Sequence, residues 1–168
     1  GIISDTRKYQ DASECLRDAT IALSAAIQSG RGGQEVFSPG MDEMAKQRMD
    51  IEQDIRRGMA ENEFLFYFQP ILDAKDQSLI GAEALLRWQH PEKGLLAPAS
   101  FIEVAEESGA LLAIQPRLIR EAFKSLAAWR RLEGNEKFRL SFNFSPEQLT
   151  YPGFAYDLQI MLDESGLD

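Results

Sequence analysis

One segment of the chain alternates between apolar and polar residues as a β-strand does: Leu79-Ile-Gly-Ala-Glu-Ala-Leu-Leu-Arg-Trp88. Successive side chains of a strand point to opposite faces, so Glu83, Leu85 and Arg87 are predicted to share one face. The apolar residues between them share the other face. We therefore expect the carboxylate of Glu83 and the guanidinium of Arg87 to point the same way.

Two further segments are predicted to form strands beside this one. Phe64–Ile71 is apolar at nearly every position, which is typical of a strand covered on both faces, and the turn at Asp73–Ser78 sets it antiparallel to strand 79–88. Phe138–Phe144 follows an amphipathic helix predicted over Pro116–Leu132. Because a strand, a helix and a strand in this order favour parallel pairing, the pattern predicts an α/β fold.

Each predicted strand carries one apolar face and one face with charged or amide groups, among them Gln69, Glu83, Arg87 and Asn143. An alternating strand often turns its polar face to water. Inside a parallel sheet or a barrel, such groups instead need partners, a metal or a ligand. The pattern leaves both interpretations open. In a site, oxygen and amide donors favour Mg²⁺, Mn²⁺ or Ca²⁺ over zinc, and a neighbouring Arg suits an anionic oxygen such as phosphate.

The other predicted elements are mostly helices. Residues 1–40 are predicted to form a short strand, a helix and a second short strand, with Asp11 as the helix N-cap and Gly30 at the helix end. Residues 41–62 carry a narrow apolar stripe among many charges, which favours a solvated linker helix. Two more helices are predicted, at Pro98–Glu107 and at about Pro152–Glu164.

The composition excludes several classes of protein. Eighteen Lys plus Arg against 27 Asp plus Glu give a net charge of -9, which opposes binding to long nucleic acids. A single cysteine excludes an intrachain disulfide and a Cys-rich zinc site, so a reducing cytoplasm is the expected location. The single histidine, His90, lies beside Pro91 in a predicted loop and is expected at the surface. No apolar run approaches the roughly twenty residues of a membrane span, and no membrane contact is expected from this segment.

Five motifs follow one another in a fixed order along the chain. They are Phe66-Tyr-Phe-Gln-Pro-Ile71, Gly81-Ala-Glu-Ala-Leu-Leu-Arg-Trp88, His90-Pro-Glu-Lys-Gly94, Pro98-Ala-Ser-Phe-Ile-Glu-Val-Ala-Glu106 and Ser141-Phe-Asn-Phe-Ser145. Together they resemble the opening half of an EAL domain, a bacterial hydrolase or receptor of the second messenger cyclic di-GMP. A lone Glu83-Ala84-Leu85 tripeptide would carry no weight, whereas the ordered set is specific. The resemblance covers residues 63–168 and implies an incomplete TIM-like (β/α) barrel whose first strand is antiparallel to the others.

The resemblance implies roles for the residues that match the motifs. Glu83 and Asn143 would be catalytic and would ligate a divalent metal, Mg²⁺ or Mn²⁺. Arg87 would contact a phosphate of cyclic di-GMP, and Gln69 and Leu85 would line the nucleotide pocket. The implied reaction is metal-assisted hydrolysis of one phosphodiester bond by an activated water, which gives linear pGpG. The alternatives are an ion pair with Arg87 for Glu83 and a loop-capping role for Asn143.

Residues 1–40 are similar to the end of a GGDEF domain, the diguanylate cyclase partner often fused before EAL domains. The similarity runs through Asp11-Ala-Ser-Glu-Cys-Leu-Arg-Asp-Ala-Thr-Ile-Ala-Leu23 and Gly30-Arg31. This chain has Thr20 and Ile27 where the family usually has Asp and a phosphate-contacting Lys. The loss of the Lys charge implies weak triphosphate binding, so the resemblance implies a degenerate cyclase remnant of α+β structure.

The chain stops at Asp168, before the family's remaining acidic residues, and three strands cannot close an eight-stranded barrel. We therefore expect a truncated or proteolysed fragment with open edges and an exposed apolar face. Such a fragment is expected to be inactive and to form a homodimer or a strand-swapped oligomer. Two functions remain open for the parent protein: a cyclic di-GMP phosphodiesterase, or a non-catalytic receptor that relays a conformational change through helix 41–62.

Overall fold

The computed structural model of the chain describes residues 1–28, 32–132 and 136–167. Gly30 and Arg31, to which the predicted helix end and part of the GGDEF similarity were assigned, lie outside the described residues. The chain divides into two compact units, Gly1–Ile51 and Glu52–Asp168. The described helices and strands are, in chain order, α1 (Ala12–Gln28), α2 (Gly40–Ala60), β1 (Phe64–Leu72), β2 (Leu79–His90), β3 (Gly94–Leu96), α3 (Ile102–Glu107), α4 (Ala110–Arg130), β4 (Arg139–Phe142), α5 (Pro146–Thr150) and α6 (Phe154–Ser165).

The first unit contains a helix between two short extended segments, as predicted. The extended segments meet in a single parallel bridge between Ile2 and Val36. Helix α1 begins where Asp11 accepts a hydrogen bond from the Glu14 backbone N–H at 2.9 Å, which satisfies one of the free donors of the first turn.

The described helices of the whole chain include none with the length and apolarity to cross a bilayer.

Helix α2 covers most of the predicted 41–62 segment, but its two ends differ in burial. Met44, near the amino end, is 70% exposed. Ile55 is completely buried, and Gly58 is buried as well. The expectation of a solvated helix is therefore wrong for the last turns, because from Glu52 onward the helix belongs to the second unit and packs into its core. The linker role of the helix stays a prediction.

The second unit contains a four-stranded sheet with β2 at its centre. Strand β1 pairs antiparallel to β2 from Phe64 opposite Trp88 to Leu72 opposite Leu79, which confirms the predicted hairpin. Strand β4 lies parallel to β2, as the strand, helix, strand order predicted. The short strand β3 pairs antiparallel with the end of β2 and was not predicted, because three residues are too few to show a period.

Helices cover the apolar face of the sheet. Ala82, Ala84, Leu86 and Trp88 of β2 are all buried there. The expected exposed apolar surface lies instead at the turn end of the β1–β2 hairpin, where Ile71, Leu72, Leu79 and Ile80 are 36–49% exposed. The core between the sheet and helices α4 and α6 is formed by Ala82, Ile119, Phe123, Leu126, Phe138, Met161 and Leu167.

Strand β1 is less covered than its apolar sequence predicted. Phe64 at its start is 2% exposed, but every residue from Gln69 to Leu72 is exposed. Among the described residues β1 pairs only with β2, so it is an edge strand and its far end lacks a second neighbour. The prediction of a strand covered on both faces is wrong for this half.

Several helices also differ from the predictions: α3 begins at Ile102 rather than Pro98, α4 begins earlier than expected, and α5 was not predicted. Helix α4 begins at Ala110, after Gly109 with a φ of 70°, and carries Pro116 in its interior. Pro116 had been assigned to the first turn because proline lacks the N–H that a helix interior uses. Helix α5 was missed, although Ser145 and Gln148 form a complete capping box at its start.

His90 is 1% exposed, so the expected surface position is wrong. Strand β2 continues through residue 90, and His90 has the same alternation phase as buried Trp88. The proline that follows His90 ends the strand after the histidine side chain has entered the core. The imidazole ring of His90 packs against the indole ring of Trp88, with the ring centroids 5.1 Å apart.

Candidate functional site

The polar face of the sheet brings together side chains from three strands. In the strand register Gln69 of β1 lies opposite Glu83 of β2, and Glu83 lies opposite Ser141 of β4. Directly opposed residues of neighbouring strands share a face and lie about 5 Å apart at Cβ. The three side chains therefore form one row across the sheet, with Glu83 in the middle.

Asn143 joins this row from the segment that follows β4. Its amide nitrogen Nδ2 donates a hydrogen bond of 2.7 Å to Glu83 Oε1. The parallel pairing of β4 with β2 ends at Phe142, which lies opposite Ala84. Asn143 follows directly and has the same strand phase as Ser141, so its side chain reaches the Glu83 carboxylate. Among the residues that the structure describes, no Lys, Arg or His lies within ion-pair distance of Glu83. The alternative of a Glu83–Arg87 ion pair is thus not the arrangement observed.

Arg87 and Leu85 lie on the same face, further along β2. Both are half-buried. Arg87 Nη1 donates to the Leu86 carbonyl oxygen at 2.8 Å, so the guanidinium is held against the backbone of its own strand. In the register Leu85 lies opposite Tyr67 and Arg87 opposite Leu65. The guanidinium therefore puts a positive charge on the polar face four residues beyond Glu83 along β2.

A cavity of about 210 Å³ lies at the carboxyl end of β4, and it includes only two of the five predicted site residues. Leu85 and Asn143 line the cavity, together with the buried Gln148. Gln69 and Glu83 lie outside it on the open polar face, as does Arg87. Four strands do not close a barrel, so the face that carries these residues is not enclosed.

The oxygen donors of this face fit a hard divalent cation in kind but are few in number. Glu83 and Asn143 meet within 2.7 Å and offer carboxylate and amide oxygens, the donor types that Mg²⁺ and Mn²⁺ prefer. Within residues 1–28, 32–132 and 136–167, no three His, Cys, Asp or Glu side chains converge as a complete metal site would require. The described residues therefore offer part of a coordination shell.

Two residues of this face have no role assigned from the sequence. Ser141 lies beside Glu83 in the row, and Tyr67 is 46% exposed next to Leu85. Alternation predicts both on the polar face, because Ser141 has the strand phase of Asn143 and Tyr67 that of Gln69. The family resemblance implied a role for neither.

Comparison with known proteins identifies the family. The EAL domain family matches residues 52–168, which is more than half of the chain. The chain belongs to the EAL domain family. It therefore has the α/β fold of that family, and the sheet described above is part of the family's TIM-like barrel.

Relatives of this EAL domain chain include longer proteins. An uncharacterized signaling protein of Caulobacter vibrioides is 36% identical over 156 residues, which is 93% of this chain and 19% of that protein. The bifunctional diguanylate cyclase/cyclic di-GMP phosphodiesterase MucR of Pseudomonas aeruginosa is 29% identical over 146 residues, 87% of this chain and 21% of that protein. The chain spans about a fifth to a quarter of the length of the curated relatives it matches.

Solved structures of EAL domains superpose on this chain. The PaMucR phosphodiesterase in complex with c-di-GMP aligns with a TM-score of 0.66 and 28% identity, over 70% of this chain and 47% of that chain. The FimX EAL domain of Pseudomonas aeruginosa bound to c-di-GMP aligns with a TM-score of 0.60 and 26% identity, over 71% and 46%.

Proposed function

We propose that this chain binds cyclic di-GMP on the polar face of its sheet and supplies part of the machinery that hydrolyses it to linear pGpG. The observation that carries the proposal is the meeting of Asn143 and Glu83 at 2.7 Å, on the face that also carries Arg87. Relatives named as cyclic di-GMP phosphodiesterases, and EAL structures solved with c-di-GMP, support the same ligand.

Each predicted residue has a role in this proposal. Glu83 and Asn143 are the proposed catalytic residues and would hold Mg²⁺ or Mn²⁺, which supplies Lewis acidity to the phosphodiester when bound. Arg87 would pair with a phosphate oxygen, for which a guanidinium has the matching charge and donor geometry. Gln69 and Leu85 would contact the nucleotide from either side of Glu83.

The number of metal donors bears on what the chain can do by itself. Glu83 and Asn143 supply two ligands, whereas Mg²⁺ usually takes six, several of which are waters. We propose that the 168-residue chain does not turn over cyclic di-GMP and that the remaining ligands are supplied by chain outside it. The same shortage favours a second candidate function, a receptor or regulatory module that binds cyclic di-GMP without hydrolysing it.

The open edges of the sheet support the proposal that copies of this chain associate. Strand β1 has one paired edge among the described residues, and an unpaired strand edge can accept another strand. We propose a homodimer or a strand-swapped oligomer. A monomeric profile in size-exclusion chromatography with light scattering would contradict this proposal.

We propose that residues 1–40 are the end of a degenerate GGDEF domain. Residues 41–62 would then be a linker helix, and residues 63–168 the EAL part. The helix between two bridged extended segments agrees with an α+β remnant. The alignment to MucR is longer than the EAL match and so reaches into this region. Loss of the usual Lys at Ile27 supports degeneracy.

A titration tests the proposed ligand. Labelled cyclic di-GMP is added to the protein with Mg²⁺, and the affinity of wild type is compared with Arg87→Gln and with the control Arg56→Gln, which removes an exposed cation of α2. Loss of a charge-assisted hydrogen bond of roughly 1.5–3 kcal/mol predicts about 10- to 100-fold weaker binding for Arg87→Gln. Equal affinities of the two variants would show that Arg87 does not contact the nucleotide. Chromatographic detection of pGpG separates hydrolysis from binding alone.

A further inference from the structure

A second group of polar side chains lies at the carboxyl end of β2, on the face of the strand opposite to Arg87. It connects the end of helix α2 to the end of β2 and to the turn before β3. All of its members belong to the second unit. We call it the Asp54 cluster, and it consists of Asp54, Arg57, Glu63, Trp88, His90 and Lys93.

Asp54 accepts three hydrogen bonds from three different segments. Arg57 Nη1 donates from the next turn of α2 at 2.7 Å, His90 Nε2 from the end of β2 at 3.0 Å, and Lys93 Nζ from the following turn at 2.9 Å. Although partial burial raises the pKa of the Asp54 carboxyl, the hydrogen bonds from Lys93 and His90 outweigh it and lower the pKa to about 2. The carboxylate is therefore charged wherever the protein is folded near neutral pH.

The hydrogen-bond network assigns the proton of the buried imidazole. His90 Nδ1 accepts from the backbone N–H groups of Glu92 and Lys93, both at 3.1 Å, so it carries no proton. The ring proton is then on Nε2, which donates to Asp54 Oδ2. Arg57 Nη2 lies 3.2 Å from the same nitrogen, but a guanidinium can only donate, so in this tautomer the contact is not a hydrogen bond. His90 thus connects the turn before β3 to helix α2 through its two ring nitrogens.

A close backbone approach accompanies the polar contacts. A Cβ atom at Gly58 would lie 2.9 Å from Trp88 Nε1 and 2.9 Å from Glu63 Oε2, so only glycine fits at this point of α2. The same two atoms form a hydrogen bond of 2.8 Å, with the indole as donor. Trp88 is 1% exposed, and its ring stacks on Phe64. The end of α2 is therefore packed directly against β2.

The strand that the cluster holds is also the strand that carries the proposed nucleotide site. Trp88 directly follows Arg87, whose guanidinium is anchored to the Leu86 carbonyl of the same strand. Any shift of the strand backbone at Trp88 is consequently carried to the guanidinium. The cluster and the phosphate-binding group are separated by one peptide unit and lie on opposite faces of β2.

We propose that the Asp54 cluster is the joint through which the end of helix α2 sets the position of the carboxyl end of β2, and with it the Arg87 guanidinium. Asp54 and His90 are then positioning residues, which do not touch the nucleotide. This role rests on the proposed function for its effect on cyclic di-GMP, but the mechanical coupling itself does not. A displacement of α2 would change affinity at the polar face without any contact between helix and ligand.

Hydrogen exchange followed by mass spectrometry tests the coupling in the absence of ligand. Asp54→Asn keeps the size of the side chain but removes the negative charge that accepts hydrogen bonds from Arg57, His90 and Lys93. We expect about 10-fold faster exchange in the β2 peptide containing Arg87, as well as in the end of α2. Lys93→Met removes one partly exposed donor and is a milder variant that retains the fold. We expect about 3-fold faster exchange in the same two peptides. Arg56→Gln, on an exposed face of the same helix, is the control and should change neither peptide.

Titration of the same variants with labelled cyclic di-GMP and Mg²⁺ separates the two proposals. About 10-fold weaker binding by Asp54→Asn, with Arg56→Gln unchanged, supports the coupling, since a purely structural role would leave the affinity alone. Faster exchange confined to residues near 54 and 90–93, or wild-type affinity in Asp54→Asn, overturns it. If wild type itself does not bind the nucleotide, the proposed function fails and the exchange result alone decides the coupling.

Discussion

Substitution of one glycine tests the close packing of α2 against β2. In Gly58→Ala the new methyl group would lie 2.9 Å from Trp88 Nε1 and 3.2 Å from Phe64 Cε2. Both rings are almost fully buried, so neither can move aside freely. The Glu63 carboxylate, also at 2.9 Å, is the end of a flexible side chain, but its movement breaks the hydrogen bond to the Trp88 indole.

The free energy of unfolding of Gly58→Ala follows from three opposing effects. Overpacking costs about 1–3 kcal/mol. Loss of the indole hydrogen bond costs about 1 kcal/mol more. Alanine is favoured over glycine in a helix interior by about 1 kcal/mol. The net expectation is a protein less stable by about 1–3 kcal/mol.

Urea unfolding followed by tryptophan fluorescence measures this change. Both tryptophans, Trp88 and Trp129, lie in the second unit, so the signal reports on the unit that contains the contact. Gln53→Ala is the control, because Gln53 is exposed on the same helix and also lies in the second unit. It should change stability by no more than about 0.5 kcal/mol. A Gly58→Ala protein as stable as the control would refute the close approach of helix and strand.

Two further predictions concern buried polar groups. Because the pKa of Asp54 is lowered from 3.8 to about 2 on folding, its charge stabilises the protein above pH 4, and this contribution is lost as pH falls through 2. Urea unfolding should therefore show wild type more stable than Asp54→Asn by roughly 1–2 kcal/mol at pH 7, and the difference should shrink as pH falls from 4 to 2. A difference at pH 2 as large as the one at pH 7 would contradict this assignment. Gln148→Leu leaves Gln115 Oε1 without its 2.6 Å partner and removes half of the capping box of α5, so it should cost about 2–3 kcal/mol. The exposed Gln159→Leu is its control in the same unfolding experiment, and equal stability of the two variants would count against the buried pair.

Alternation predicted the polar face well because it is a local property of the backbone. Strand β2 has its buried and less buried residues in the predicted phase, and β4 lies beside it in the predicted parallel direction. The period alone placed Glu83 and Arg87 on one face. The contact between Asn143 and Glu83 needed the register of two strands 60 residues apart in sequence, which the helix between them determines.

The predictions that failed depend on tertiary contacts. His90 looked like a loop residue because a proline follows it, but Asp54 in α2 provides the buried hydrogen bond that makes its position favourable. Pro116 looked like a helix start, yet α4 continues through it with buried residues on both sides. Strand β1 looked covered on both faces, but within the described part of the chain it pairs with β2 alone, and residues 69–72 are exposed.

The central claim is that Gln69, Arg87 and Asn143 present their side chains to one nucleotide site, and nuclear magnetic resonance observes those side chains directly. Cyclic di-GMP is added with Mg²⁺ to the ¹⁵N-labelled protein, and the amide NH₂ signals of Gln69 and Asn143 and the Nε–H signal of Arg87 are followed. We predict that these three signals shift together in a saturable way, while the NH₂ signals of the exposed Gln47 and Gln159, which lie on helices α2 and α6, stay in place. Shifts confined to signals away from the polar face of the sheet, or no shifts at saturating nucleotide, would contradict the account.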